Sequence, residues 1–96
     1  MAHYIALIHK DAGSGYGISF PDVPGVVTVS ETLDGAIAEA AAALSFAAED
    51  WEELTGSAFP APSSLDTLRC DQDFVIGSKD AVVAAIPFGT EFSRAA

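Results

Sequence analysis

Between Ser30 and Leu33 the hydrophobic period of the chain changes, and this change limits the folds open to it. Before the break the pattern is that of strands. Tyr4-Ile5-Ala6-Leu7-Ile8-His9-Lys10 is apolar at both parities, which predicts a central strand covered on both faces. Asp11-Ala12-Gly13-Ser14-Gly15 is turn chemistry, and Tyr16-Gly17-Ile18-Ser19-Phe20 alternates with its large residues on one side, so the two segments read as a hairpin. Pro21-Asp22-Val23-Pro24-Gly25 is a rigid corner, and Val26–Ser30 is a β-branched third strand. After the break, Leu33, Ile37, Ala40, Leu44, Ala48 and Trp51 recur at helical spacing. Thr32 is the natural N-cap and Asp34 suits the first turn, whereas Gly35 occupies the capping-box position of glutamate. The helix should end near Gly56. Phe59-Pro60-Ala61-Pro62-Ser63-Ser64 is a semi-rigid connector, with Ser63 or Ser64 placed to cap a short helix over Leu65–Arg69. Ala81–Phe88 is the last strand, with Val82, Ala84, Ile86 and Phe88 on one side. The expected class is α+β: a small, mostly antiparallel sheet in the order β-β-β-α-(short α)-β, with one long helix across one face. The other face is then left over, and a second copy of the molecule is its expected cover, giving a homodimer or higher homo-oligomer.

Charge excludes whole classes of partner. Four basic residues against fourteen acidic ones give a net charge of −10 in a 96-residue chain, one domain's length. Such a surface repels phosphate backbones, so no direct nucleic-acid binding is expected, and its natural partner is basic. The single Cys70 forbids an intramolecular disulfide or a cysteine zinc cluster and suits a reducing, cytoplasmic setting. No basic n-region precedes an apolar stretch at the N-terminus. The longest charge-free run, Leu54–Leu65, is broken by Gly56, Pro60 and Pro62, so no membrane partner is expected.

Catalytic chemistry finds little footing. Metal-dependent hydrolysis needs clustered carboxylates, yet Asp11 stands at a turn and Val82–Phe88 has no acid. His3 and His9 would lie ~20 Å apart along a strand, too far to share an ion. Gly13, Gly15 and Gly17 precede a strand, which is hairpin chemistry, while a dinucleotide fingerprint opens a helix. No Gly-x-Ser-x-Gly elbow is present. No cofactor or metal site is expected. The densest charge cluster is Glu49-Asp50-Trp51-Glu52-Glu53, with Trp51 facing inward and four acids at a helix end where the dipole disfavours them.

Tyr4–Asp11, the run Gly15-Tyr16-Gly17-Ile18-Ser19-Phe20-Pro21-Asp22-Val23-Pro24-Gly25, the Thr32-Leu33-Asp34 helix start and the Phe59–Ser64 connector occur in an order that resembles the HicB antitoxin family. The resemblance spans Tyr4 to about Phe88. It implies a partial RNase H-like fold without catalysis and, as partner, a small basic HicA-like ribonuclease toxin that cuts mRNA with a histidine, which the antitoxin covers. Candidate toxin contacts are Asp11, Tyr16, Asp22, Pro24, Glu49, Asp50, Glu52 and Glu53. Typical members also carry a C-terminal ribbon-helix-helix or helix-turn-helix segment that binds the operator. With Ala96 as the last residue, residues 1–96 read as one HicB-like domain without that segment. Val26 stands where many members have cysteine, and Gly35 where glutamate is usual. The competing readings are an orphan interaction or ligand-binding domain and, third, a metal-dependent RNase H-like nuclease.

Overall fold

The computed structural model describes residues 2–10 and 15–88. Four strands, β1 (Ala2–Lys10), β2 (Tyr16–Ser19), β3 (Val27–Ser30) and β4 (Val82–Phe88), form one antiparallel sheet in the order β3-β2-β1-β4. The hairpin expectation holds: Leu7 pairs with Ser19 and Lys10 with Tyr16. β4 closes onto the other side of β1 along its whole length, from Ala2 opposite Phe88 to Ile8 opposite Val82. β1 is therefore central, as its two-sided apolar pattern requires. Gly15 has a steric role. A Cβ there would fall on the backbone oxygen of Ser30, so only glycine lets the hairpin start this close to the end of β3. At the corner, Gly25 has φ +92°, a conformation that disfavours any other residue, and Val23 is fully buried beneath it.

The long helix α1 (Leu33–Thr55) starts at Thr32, whose hydroxyl accepts the Gly35 N–H at 2.9 Å, and ends where the Gly56 N–H bonds Glu52 at 2.9 Å. It lies across one sheet face. Tyr4, Ala6, Ile8, Ile18, Phe20 and Ile86 from the sheet meet Ala36, Ala40, Ala41 and Leu44 from the helix. The helical phase expected from the sequence needs one correction. Leu33 and Ile37 are 40% and 37% exposed, and the buried positions of the first turns belong to Ala36 and Ala40. The helix approaches the sheet closely there, where only methyl side chains fit, and the bulkier residues stay at the rim. Leu44 is fully buried, and Trp51 packs half-buried against the same core.

Two short helices follow the connector. Ser64 caps α2 (Leu65–Leu68), close to the expected position. Asp71 caps α3 (Gln72–Ser78), an element that the sequence pattern does not announce. Together they bring Leu68, Phe74 and Leu65 onto Leu7, Ile5 and Ala81, on the sheet face opposite α1. His9 helps to hold α3, with its Nε2 3.0 Å from the Gly77 carbonyl. The face expected to be left over is thus half covered by the chain itself. The uncovered half lies over β2 and β3, where Val27 and Val29 are 71% and 72% exposed.

Candidate functional site

The connector ties three elements to one another. Its Ser63 donates a backbone N–H (2.6 Å) and its hydroxyl (2.8 Å) to the two carboxylate oxygens of Asp22 in the corner. Its Pro60 carbonyl accepts the Tyr4 hydroxyl from β1 at 2.5 Å. Its Phe59 ring stacks on Phe88 of β4 at 5.4 Å and meets Trp51 of α1 edge-on at 5.4 Å. Tyr4 completes the aromatic group against Phe59 and Phe88. Burial, reinforced by the negative Asp22 nearby, holds the Tyr4 hydroxyl above its ordinary pKa of 10.0. Corner, central strand and the C-terminal half of α1 are therefore held in one arrangement.

With Trp51 fixed inward, the side of α1 that carries Phe46, five positions earlier, is turned away from the sheet. Phe46 (73% exposed) and Leu54 (82% exposed) point to solvent. Glu49, Asp50 and Glu53 are three, four and seven positions from Phe46, so they share its side of the helix. The result is a stripe in which acids flank two exposed apolar side chains. Glu52 is exposed too, but roughly 120° around the helix from Phe46, so it lies off the stripe. The last turn of α1 contains no basic residue, and its acids face the negative end of the helix dipole. An exposed phenylalanine and leucine with a carboxylate rim match the anatomy of a binding patch: an apolar centre with charge around it. Neither Phe46 nor Leu54 was marked by the sequence pattern. For Phe46 the signal is present, since it lies five positions from Trp51 and outside the inward stripe; Leu54 lies three positions after Trp51 and is exposed in the last turn of α1.

The other expected contact residues fall elsewhere. Asp22 is half-buried and engaged by Ser63. Pro24 is exposed at the tip of the corner. Tyr16 packs half-buried against the α1-side core, with the Lys10 ammonium 5.4 Å from its ring centre. Asp11 lies outside the described residues. A cleft on the other sheet face is lined by Leu7, Asp22, Ser63, Leu68, Asp71 and Asp73, among others, but Asp71 is occupied in capping α3 through the Asp73 N–H at 2.8 Å. Among the described residues, no three His, Cys, Asp or Glu side chains are grouped to hold a metal ion, and no helix is long and apolar enough to cross a membrane.

A family model described as the HicB-like antitoxin of bacterial toxin–antitoxin systems matches residues 4–91. The chain belongs to this antitoxin family. Its fold is similar to that of the crystallised N-terminal domain of the Burkholderia pseudomallei antitoxin HicB. There the TM-score is 0.71 at 30% identity, covering 92% of this chain and 99% of the other. It is also similar to the Burkholderia pseudomallei antitoxin HicB itself (TM-score 0.65, 28% identity, 91% of this chain), of whose length the alignment spans 63%. A chain from a HicA3–HicB3 toxin–antitoxin complex shares the fold at TM-score 0.69 and 17% identity, over 92% of this chain and 99% of that one. No curated protein sequence matches. The antitoxin fold expected from the corner, helix start and connector is thus the fold observed.

Proposed function

We propose that this chain is a non-enzymatic antitoxin that binds and neutralises a small basic HicA-like ribonuclease in the cytoplasm. Family membership supports the role, and the acid-rimmed Phe46–Leu54 stripe on α1 is the observation that carries the binding mode. A net charge of −10 draws a basic toxin toward the chain and raises the association rate, and the exposed apolar pair supplies the short-range contact. Docking also places positive charge at the negative end of α1, which relieves the unfavourable placement of Glu49, Asp50 and Glu53. Neutralisation is then steric: the antitoxin covers the toxin's histidine and its RNA-binding face. The exposed corner at Pro24, fixed by the Asp22–Ser63 contact, is a second point for the toxin to meet. The test is inhibition of RNA cleavage by a purified HicA-family toxin, with Phe46→Ala and Glu49→Lys/Glu53→Lys variants compared with the unmodified chain.

A further inference from the structure

The outer side of α1 continues from Phe46 toward the N-terminus of the helix. Ala38 and Ala42 lie eight and four positions before Phe46, so the three share one line along the helix, and both alanines are exposed. Glu39 borders this line near its start, and Glu49, Asp50 and Glu53 border its end. The line therefore has a shallow half, where only methyl groups project, and a raised half headed by Phe46, which is 73% exposed. No basic residue occurs anywhere in the 23 residues of α1. The backbone of this surface offers a partner nothing, because away from the helix ends each N–H and C=O is already bonded within the helix. An extended segment laid on it would lose water from its own N–H and C=O groups and find no replacement for it.

We infer that the partner element seated on this face is a basic amphipathic helix running antiparallel to α1; the inference rests on the toxin reading above and names the kind of element that docks. A helix arrives with its own backbone bonds made, so only side chains need to match. The two alanines let its axis come close, and its apolar residues then pass over Ala38 and Ala42 and abut Phe46. Its lysines and arginines flank that apolar stripe, because the carboxylates of α1 lie at the borders of the line. Direction follows from charge. Glu49, Asp50 and Glu53 crowd the negative C-terminal end of α1, which has no base to offset them. The positive N-terminal end of a partner helix belongs there, whereas the parallel orientation would add a second negative helix end to three carboxylates.

Binding of a purified HicA-family toxin to Ala38→Leu/Ala42→Leu tests the close approach. Both positions are exposed and leucine is a strong helix former, so the far-UV spectrum should not change. Against a docked helix the added bulk holds the two axes apart, and affinity should fall about tenfold or more. Equal or tighter binding overturns the inference, since a loop that touches Phe46 alone gains from the extra apolar surface. Phe46→Ala and Glu49→Lys/Glu53→Lys distinguish that result from failure of the docking mode. If they too leave binding unchanged, the toxin sits elsewhere and both readings fall. Direction is read by adding to the isotope-labelled chain an amphipathic helical peptide of about 18 residues, made of leucine, alanine and lysine, with a nitroxide at its N-terminus. The amide signals of Asp50–Leu54 should broaden, and a central proline in the peptide should abolish the effect. Broadening at Ala38 and Glu39 instead, no broadening at millimolar peptide, or equal binding of the proline form overturns the inference.

Discussion

Both carboxylate oxygens of Asp22 are taken by Ser63, a residue 41 positions further along the chain, at 2.6 Å from the backbone N–H and 2.8 Å from the hydroxyl. An ionised acceptor strengthens both bonds, and together they fasten the Pro21–Gly25 corner to the connector. Asp22→Ala should therefore destabilise the fold by ~1–3 kcal/mol, since it leaves the Ser63 donors unmatched. Ser63→Ala, which keeps its backbone N–H, should cost only ~0.5–1.5 kcal/mol. Urea unfolding of both variants checks the order. Equal costs near zero would show that the corner is held by its prolines alone.

Tyr4 predicts an alkaline limit to stability. Its hydroxyl is held above the ordinary value of 10.0 by burial first and by Asp22 second. Above pH 10 the unfolded chain gives up this proton while the folded one keeps it. The folded state then binds more protons, and stability must fall as pH rises through and beyond that point. Below pH 10 the contribution is present in full. Tyr4→Phe should remove much of this alkaline loss while costing stability at neutral pH, because the bond to the Pro60 carbonyl disappears. Thermal unfolding followed from pH 7 to 11 shows both effects. An unchanged alkaline slope in Tyr4→Phe would assign the loss to other groups.

Two leucines of one helix should behave in opposite ways. Leu44 is fully buried against the sheet, and Leu44→Ala should cost ~2–5 kcal/mol, as a core cavity does. Leu54 is 82% exposed, and Leu54→Ala should change stability by less than about 0.5 kcal/mol. Chemical denaturation separates them. Similar costs at the two positions would mean that α1 is rotated from the phase described.

Salt should weaken toxin binding in a way that locates the acids. If Glu49, Asp50 and Glu53 steer a basic partner, the association rate of the unmodified chain falls as ionic strength rises. Glu49→Lys/Glu53→Lys should bind more slowly and show a flatter salt dependence. Glu52→Lys, off the stripe, should do so less. Stopped-flow or surface-based kinetics at several salt concentrations would measure this. Identical slopes for all three would move the interface away from α1.

Most of the architecture was legible because periodicity and turn chemistry point the same way. Two-sided apolarity placed the Tyr4–Lys10 segment at the centre of the sheet, and Thr32 marked the start of α1. The phase of α1's first turns was not legible, because hydrophobicity ranks Leu33 and Ile37 above alanine whereas close packing selects Ala36 and Ala40. α3 was hidden because Gln72–Ser78 is too short for a helical period to stand out and contains Gly77. Its evidence is the Asp71 cap and its burial of Phe74. At the candidate site the acid cluster could be read directly. The exposure of Phe46 and Leu54 could not, since their apolar character alone suggests a core; the inward position of Trp51 turns Phe46 to solvent, while Leu54 lies three residues after Trp51 and is exposed in the last turn of α1.

Docking on the outer side of α1 is the way we propose that this chain silences a ribonuclease. The purified chain is titrated into an RNA-cleavage assay with a purified HicA-family toxin, alongside the Phe46→Ala/Glu49→Lys/Glu53→Lys variant. Complete inhibition is expected near one antitoxin per toxin with the unmodified chain, and recovery of cleavage with the folded variant. Undiminished cleavage at a large excess of the unmodified chain, or full inhibition by the variant, would contradict it.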